Sequence, residues 1–134
     1  MFTSHKDTAP RRERDRLTSI CLLARGDVAA DTLAVTWVDV VPGGRQPLHN
    51  HPEVQVYIIV AGTGRMQVGD REVEVSPGQL VHVPSGAFHG ITNTGDGVLT
   101  YVTAATPAFD YTEAYDRGQL TQGAYKSQLH GTNA

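Results

Sequence analysis

Gly43-Gly44-Arg45-Gln46-Pro47-Leu48-His49-Asn50-His51-Pro52-Glu53-Val54-Gln55, running on through Val56-Tyr57-Ile58-Ile59-Val60-Ala61-Gly62, sets two histidines and a glutamine between punctuating glycines. His49 and His51 are two residues apart, so on a strand both imidazoles leave the same face. That is half of a chelate, and neutral imidazole suits zinc, iron, nickel, cobalt and manganese. A second block runs Gly78-Gln79-Leu80-Val81-His82-Val83-Pro84-Ser85-Gly86-Ala87-Phe88-His89-Gly90-Ile91-Thr92-Asn93. There the Pro84-Ser85-Gly86 turn is placed to deliver a third imidazole, His89, from another strand.

Around these blocks the chain repeats one pattern, short alternating apolar runs broken by glycine, which predicts an all-β barrel or sandwich. Residues 18–24 and 32–41 read as strands, with Arg25-Gly26-Asp27 as part of their connection and Pro42-Gly43-Gly44 ending the second. Strands at 54–60 and 64–68 flank Gly62. Met66 and Val68 alternate, Gly69-Asp70 turns the chain, and Val73 and Val75 alternate again, as in a hairpin. Residues 79–83 enter the proline turn, 89–93 leave it, and Thr94-Gly95-Asp96-Gly97 leads into a last strand at 98–104. Pro107 closes the barrel. Beyond it, Asp110 or Thr112 is placed to cap a short C-terminal helical segment able to pack over the barrel mouth or a partner. The chain thus divides into a flexible N-terminal arm (1–17), a barrel (18–106) and a tail (107–134).

The length of 134 residues suits one domain with a real core. A net charge of −3 with mixed signs does not describe a nucleic-acid surface. The run Arg11-Arg12-Glu13-Arg14-Asp15-Arg16 is interrupted by acids and reads as a solvated arm. No apolar run reaches the ~20 residues of a membrane span, and the N-terminus lacks the apolar stretch of a signal peptide. Cys21 is alone, so no intrachain disulfide is expected, and in Ile20-Cys21-Leu22-Leu23 it reads as a buried hydrophobe. A cytoplasmic protein is expected. Residues 18–24 form an apolar strand near a chain end that must be covered, which predicts a two-fold homodimer.

The two blocks resemble the signature motifs of the cupin superfamily. The first motif has a glycine, a His-x-His pair, a glutamate and a second glycine; Gly43, His49, His51 and Gly62 fall in register, with Gln55 in the glutamate's place. The second is matched by Gly78, Pro84, Gly86, His89 and Asn93 without a gap. The resemblance spans residues 43–93. It implies a double-stranded β-helix (jelly-roll) barrel with one divalent transition metal per chain, held by His49, His51, Gln55 and His89. It does not imply one activity, since cupins include dioxygenases, decarboxylases, isomerases, cyclases, lyases and sugar-binding proteins.

Glutamine in the fourth place alters the chemistry expected of such a site. Its neutral amide oxygen cancels none of the ion's charge. The ion becomes a stronger Lewis acid, while oxidation to the trivalent state becomes less favourable. Similar His/His/Gln/His sets occur in a small cupin that ketonises unsaturated uronates, a hydroxynitrile lyase and polyketide cyclases. Glu53 is the rival ligand, sharing strand parity with His49, His51 and Gln55, but Pro52 disturbs that parity. As a non-ligand it is a rim carboxylate or proton carrier.

Three residues are candidates for moving a proton: Tyr57, which has the parity of Gln55 and reads otherwise as packing; His82, which facing the interior reads either as a core histidine hydrogen-bonded to its neighbours or as a proton carrier; and Glu53. Arg45 shares the parity of His49 and is a candidate for binding a substrate carboxylate at the mouth, the alternative being a solvated surface arginine. Tyr101 and Phe88 read as barrel packing, with Tyr101 the second candidate for substrate contact. The function expected is non-redox isomerase, cyclase or lyase chemistry on a small carbonyl- or hydroxyl-containing substrate. The alternatives are an Fe(II)-dependent dioxygenase and a non-catalytic small-molecule or sugar-binding cupin.

Overall fold

The apolar alternation is realised as ten strands in the computed structural model, which describes residues 1–30 and 32–109. They are β1 (Arg11–Arg14), β2 (Leu17–Leu23), β3 (Ala34–Val40), β4 (Arg45–His49) and β5 (Val54–Ala61), then β6 (Gly64–Val68), β7 (Arg71–Val75), β8 (Leu80–Val83), β9 (His89–Asn93) and β10 (Leu99–Thr106). A six-stranded sheet in the order β1-β2-β3-β10-β5-β8 faces a four-stranded sheet in the order β4-β9-β6-β7. Every pairing is antiparallel. This is the expected jelly roll, in which strands adjacent in sequence pass between two sheets and bury their inner faces. Tyr57, Tyr101, Ile59, Met66, Ile91 and Leu99 fill the space between them, each at most 2% exposed. Among the described residues there is no helix. The helical segment expected after Pro107 lies outside the described residues.

Two departures from the sequence reading bear on function. Residues 11–14, read as a solvated arm, form β1, with Arg11 opposite Ile20 and Arg14 opposite Leu17. Charge on both faces does not prevent this, because an edge strand keeps one side in water and uses charge to deter further pairing. β1 therefore covers the edge of β2, and a bare β2 edge no longer argues for a dimer.

The second departure is a bulge in β4. Gln46 pairs with Ile91 and His49 with His89, so three steps along β4 span two along β9. The extra residue places Gln46 and His49 both inside and turns Arg45 outward, against the simple alternation that had Arg45 share the face of His49. Pro47, which has no N–H to offer a ladder, sits in the irregular stretch. The bulge lies tightly on β9: a Cβ on Gly90 would stand 2.7 Å from the Gln46 carbonyl oxygen.

Gly62, which ends the first motif, is required for a related reason. Its φ is +82°, and a Cβ there would lie 2.5 Å from the Val98 carbonyl oxygen and 2.8 Å from Leu99 Cα. Both obstacles are backbone and cannot rotate away. Gly62→Ala is expected to destabilise the protein by at least about 2 kcal/mol in chemical denaturation; a change below about 0.5 kcal/mol would contradict this packing.

Candidate metal centre

Three imidazoles converge between the sheets. His49 ends β4, His89 begins β9, and His51 lies in the β4–β5 loop, so it reaches the group through a turn and not through the pleat of one strand as the sequence suggested. Ring centroids are 4.2 Å apart for His49 and His89, 4.8 Å for His51 and His89, and 5.8 Å for His49 and His51. One nitrogen from each ring lies within 4.8 Å of those from the others. Gln55, the second residue of β5, joins them from the larger sheet. All four side chains belong to residues no more than 7% exposed.

The backbone fixes how each ring presents itself. Nδ1 of His49 lies 2.8 Å from the Pro47 carbonyl, that of His89 2.9 Å from the Ala87 carbonyl, and that of His51 3.0 Å from the Glu53 carbonyl. A carbonyl only accepts, so each Nδ1 carries a hydrogen and Nε2 is the nitrogen each ring turns inward. Burial pushes the His49 pKa down to about 3, with His89 adding to the effect. Burial likewise lowers His89 to about 4, against the opposing pull of the Ala87 carbonyl. Two neutral bases are thus held side by side in a dry place.

The inward side of this group is electron-rich and short of donors. His51 Nε2 lies 3.0 Å from Gln55 Oε1, and with the imidazole's one hydrogen on Nδ1 two lone pairs would face each other there. Turning the Gln55 amide over would relieve that pair, yet His89 Nε2 would still be buried with no hydrogen-bond partner. A buried acceptor without a donor costs about 1–3 kcal/mol. A cation coordinated by His49, His51, His89 and Gln55 satisfies all four at once, so these residues fit a metal ion.

Glu53 is placed elsewhere. Its carboxylate lies 3.5 Å from His51 Nδ1, on the far side of the ring from Gln55. The Glu53 backbone carbonyl takes the Nδ1 hydrogen, so the carboxylate stands beside that contact.

The remaining candidates separate into inner and outer groups. Tyr57 and Tyr101 are inside, stacked with centroids 5.0 Å apart, and the Tyr57 ring stands 5.9 Å from that of His89. The Tyr57 hydroxyl donates to Gln46 Oε1 at 2.9 Å, and the Tyr101 hydroxyl to the same oxygen at 3.4 Å. His82 is exposed: β8 turns Val83 inward and His82 outward, so the expectation that it faces the interior is corrected. Arg45 is likewise outside, in a cleft with Arg65, Gln67 and Glu72 on the outer face of the smaller sheet. Phe88, read as barrel packing, is 55% exposed. Sequence reasoning passed over Gln46, although Pro47 beside it is a bulge signal. It also passed over Phe109, whose ring meets that of His51 edge-on at 5.4 Å; nothing local in the sequence announces that contact.

Comparison with known proteins accords with this geometry. The family profile described as "Cupin domain" matches residues 36–104. A dimethylsulfoniopropionate lyase, DddQ, of Ruegeria pomeroyi is 36% identical over 84 residues, which are 61% of this chain and only 41% of that protein. The polyketide cyclase RemF of Streptomyces resistomycificus superposes with a TM-score of 0.68 at 25% identity, covering 79% of each chain. A predicted oxalate decarboxylase of Thermotoga maritima superposes with a TM-score of 0.70 at 22% identity, covering 80% of this chain and 99% of the other. At that identity it speaks for the fold alone.

Proposed function

This chain belongs to the cupin family, and from that premise we propose that it is a metal-dependent enzyme carrying out non-redox isomerase, cyclase or lyase chemistry on a small oxygenated molecule. The observation that carries the reading is the inward set itself: His51 Nε2 against Gln55 Oε1 at 3.0 Å, with the buried His89 Nε2 lacking any partner. His49, His51, Gln55 and His89 would hold one divalent transition ion, with Fe, Mn, Ni, Co and Zn all compatible with the donors. When bound, it supplies polarisation of a substrate oxygen at a formal charge of +2, because all four protein donors are neutral. The names of the lyase and cyclase relatives lend support, though the lyase shares less than half its length with this chain.

The chain's own residues supply the rest. Tyr57 is the proton carrier in this reading: its ring stands edge-on to that of His89 at 5.9 Å, and Gln46 Oε1 accepts its hydroxyl hydrogen and so orients it. Tyr101 shares that acceptor and keeps the neighbouring wall polar. Glu53 steadies His51 from behind through Nδ1 and does not itself reach the inward face. His82 and Arg45 take no part, since both side chains lie outside.

Anaerobic turnover tests the reaction class. Protein reconstituted with zinc, nickel or iron is assayed with and without oxygen, beginning with dimethylsulfoniopropionate because a relative is named as its lyase. Turnover is expected to persist without oxygen and with redox-silent zinc. If iron alone serves and turnover stops without oxygen, the Fe(II)-dioxygenase alternative replaces this reading.

We also propose a two-fold homodimer. A registered apolar row, Trp37–Val102–Ile58–Leu80, crosses four strands on the outer face of the larger sheet, and Ile58 and Leu80 are exposed. Light scattering at micromolar concentration is expected to give twice the 14.4 kDa chain mass; a monomer mass would count against it.

A further inference from the structure

The proposed centre is sealed. His49, His51, Gln55 and His89 are each at most 7% exposed, so a substrate reaches them only if something moves. Walls made of paired strands are poor candidates for that movement. The residues just past β10 differ. Ala108 and Phe109 belong to no strand, yet they are 0% and 3% exposed. The Phe109 ring stands edge-on to His51 at 5.4 Å. From the β2–β3 connection, Arg25 Nη2 donates to the Ala108 carbonyl at 2.9 Å.

We propose that residues 107–109 are the gate of this site, with Phe109 the residue that determines what enters and Arg25 its latch. The proposal rests on the metal-centre reading and adds the route of access. Displacing Phe109 opens His51 on a side where the larger sheet is floored by small residues: in register across β5, β10 and β3 stand Gln55, Ala105 and Ala34. All three are buried on the inner face. The vacated space therefore suits a compact guest that puts an oxygen toward Gln55 and the imidazoles and an apolar body where the phenyl ring stood. A strap that belongs to no strand opens at lower cost than a strand edge, which must break a ladder of hydrogen bonds.

Two measurements test the gate, one with metal and one without. In the first, untagged metal-loaded protein is mixed with excess EDTA and the released ion is followed by an indicator dye. Phe109→Ala is expected to release it about tenfold faster than wild type or more, Arg25→Ala faster by a smaller factor, and Arg25→Lys and Phe109→Leu near the wild-type rate. In the second, metal-free protein is treated with diethyl pyrocarbonate and modification of His51 is read by mass spectrometry. The same order is expected, and this arm needs no metal. Failure of the metal reading would show as wild-type protein that loads no ion, while the carbethoxylation order still reports on the gate. If Phe109→Ala does not fold, the Arg25→Ala and Arg25→Lys pair decides. Release and modification at wild-type rates in the variants that fold would overturn the proposal.

Discussion

Alanine in place of His51 or His89 is expected to take the metal content from near one ion per chain to background after dialysis. Each ring is aimed by a backbone carbonyl at its Nδ1, that of Glu53 for His51 and that of Ala87 for His89, and both sit inside the closed group. Loss of an outer-shell partner alone costs roughly 10- to 100-fold in metal affinity, so loss of a ligand should cost at least about a hundredfold. The two variants should differ in stability. Removing His89, which is 0% exposed, leaves a cavity in the core, whereas His51 lies in a loop. His89→Ala should therefore unfold at lower temperature than His51→Ala even with metal absent from both. Full occupancy in either variant would remove that residue from the centre.

Gln55→Glu is expected to separate metal affinity from turnover. The added carboxylate would face His51 Nε2 at the position of an oxygen now 3.0 Å away, and its charge would hold a cation more tightly. That same charge would weaken polarisation of a substrate oxygen. Loss of about 1.4 kcal/mol of transition-state stabilisation is tenfold in rate, so turnover should drop by roughly tenfold or more while chelator resistance rises. Glu53→Gln removes a charge behind His51 and leaves the inward donors unchanged, so its effect should be smaller. If Gln55→Glu turned over as fast as the wild type, neutrality of the donor set would have no bearing on the chemistry.

The parts of this architecture that were legible in the sequence are those fixed by local rules. Gly64–Val68 and His89–Asn93 form strands over the ranges their alternation predicts, because turn residues bound them on both sides. The three imidazoles were identifiable from their spacing against glycines that the backbone needs. What alternation missed depends on partners far along the chain. β1 is a strand because β2 offers it an edge, and no property of Arg11-Arg12-Glu13-Arg14 alone says so. The β4 bulge reverses the parity of Arg45 and Gln46, since one extra residue exchanges the faces of everything before it. His82 and Val83 exchange roles for a like reason: near a turn, counting by twos from a proline does not establish which face is inner. Phe109 reaches His51 across 58 positions of sequence, a contact that only the closed barrel creates.

Anomalous diffraction from crystals of untagged, metal-loaded protein would report whether His49, His51, His89 and Gln55 together hold one divalent ion. One anomalous peak per chain is expected, with the three Nε2 atoms and Gln55 Oε1 each about 2.0–2.3 Å from it. A peak bound by the Glu53 carboxylate with Gln55 turned away, or no peak between the sheets in protein loaded with metal, would contradict it.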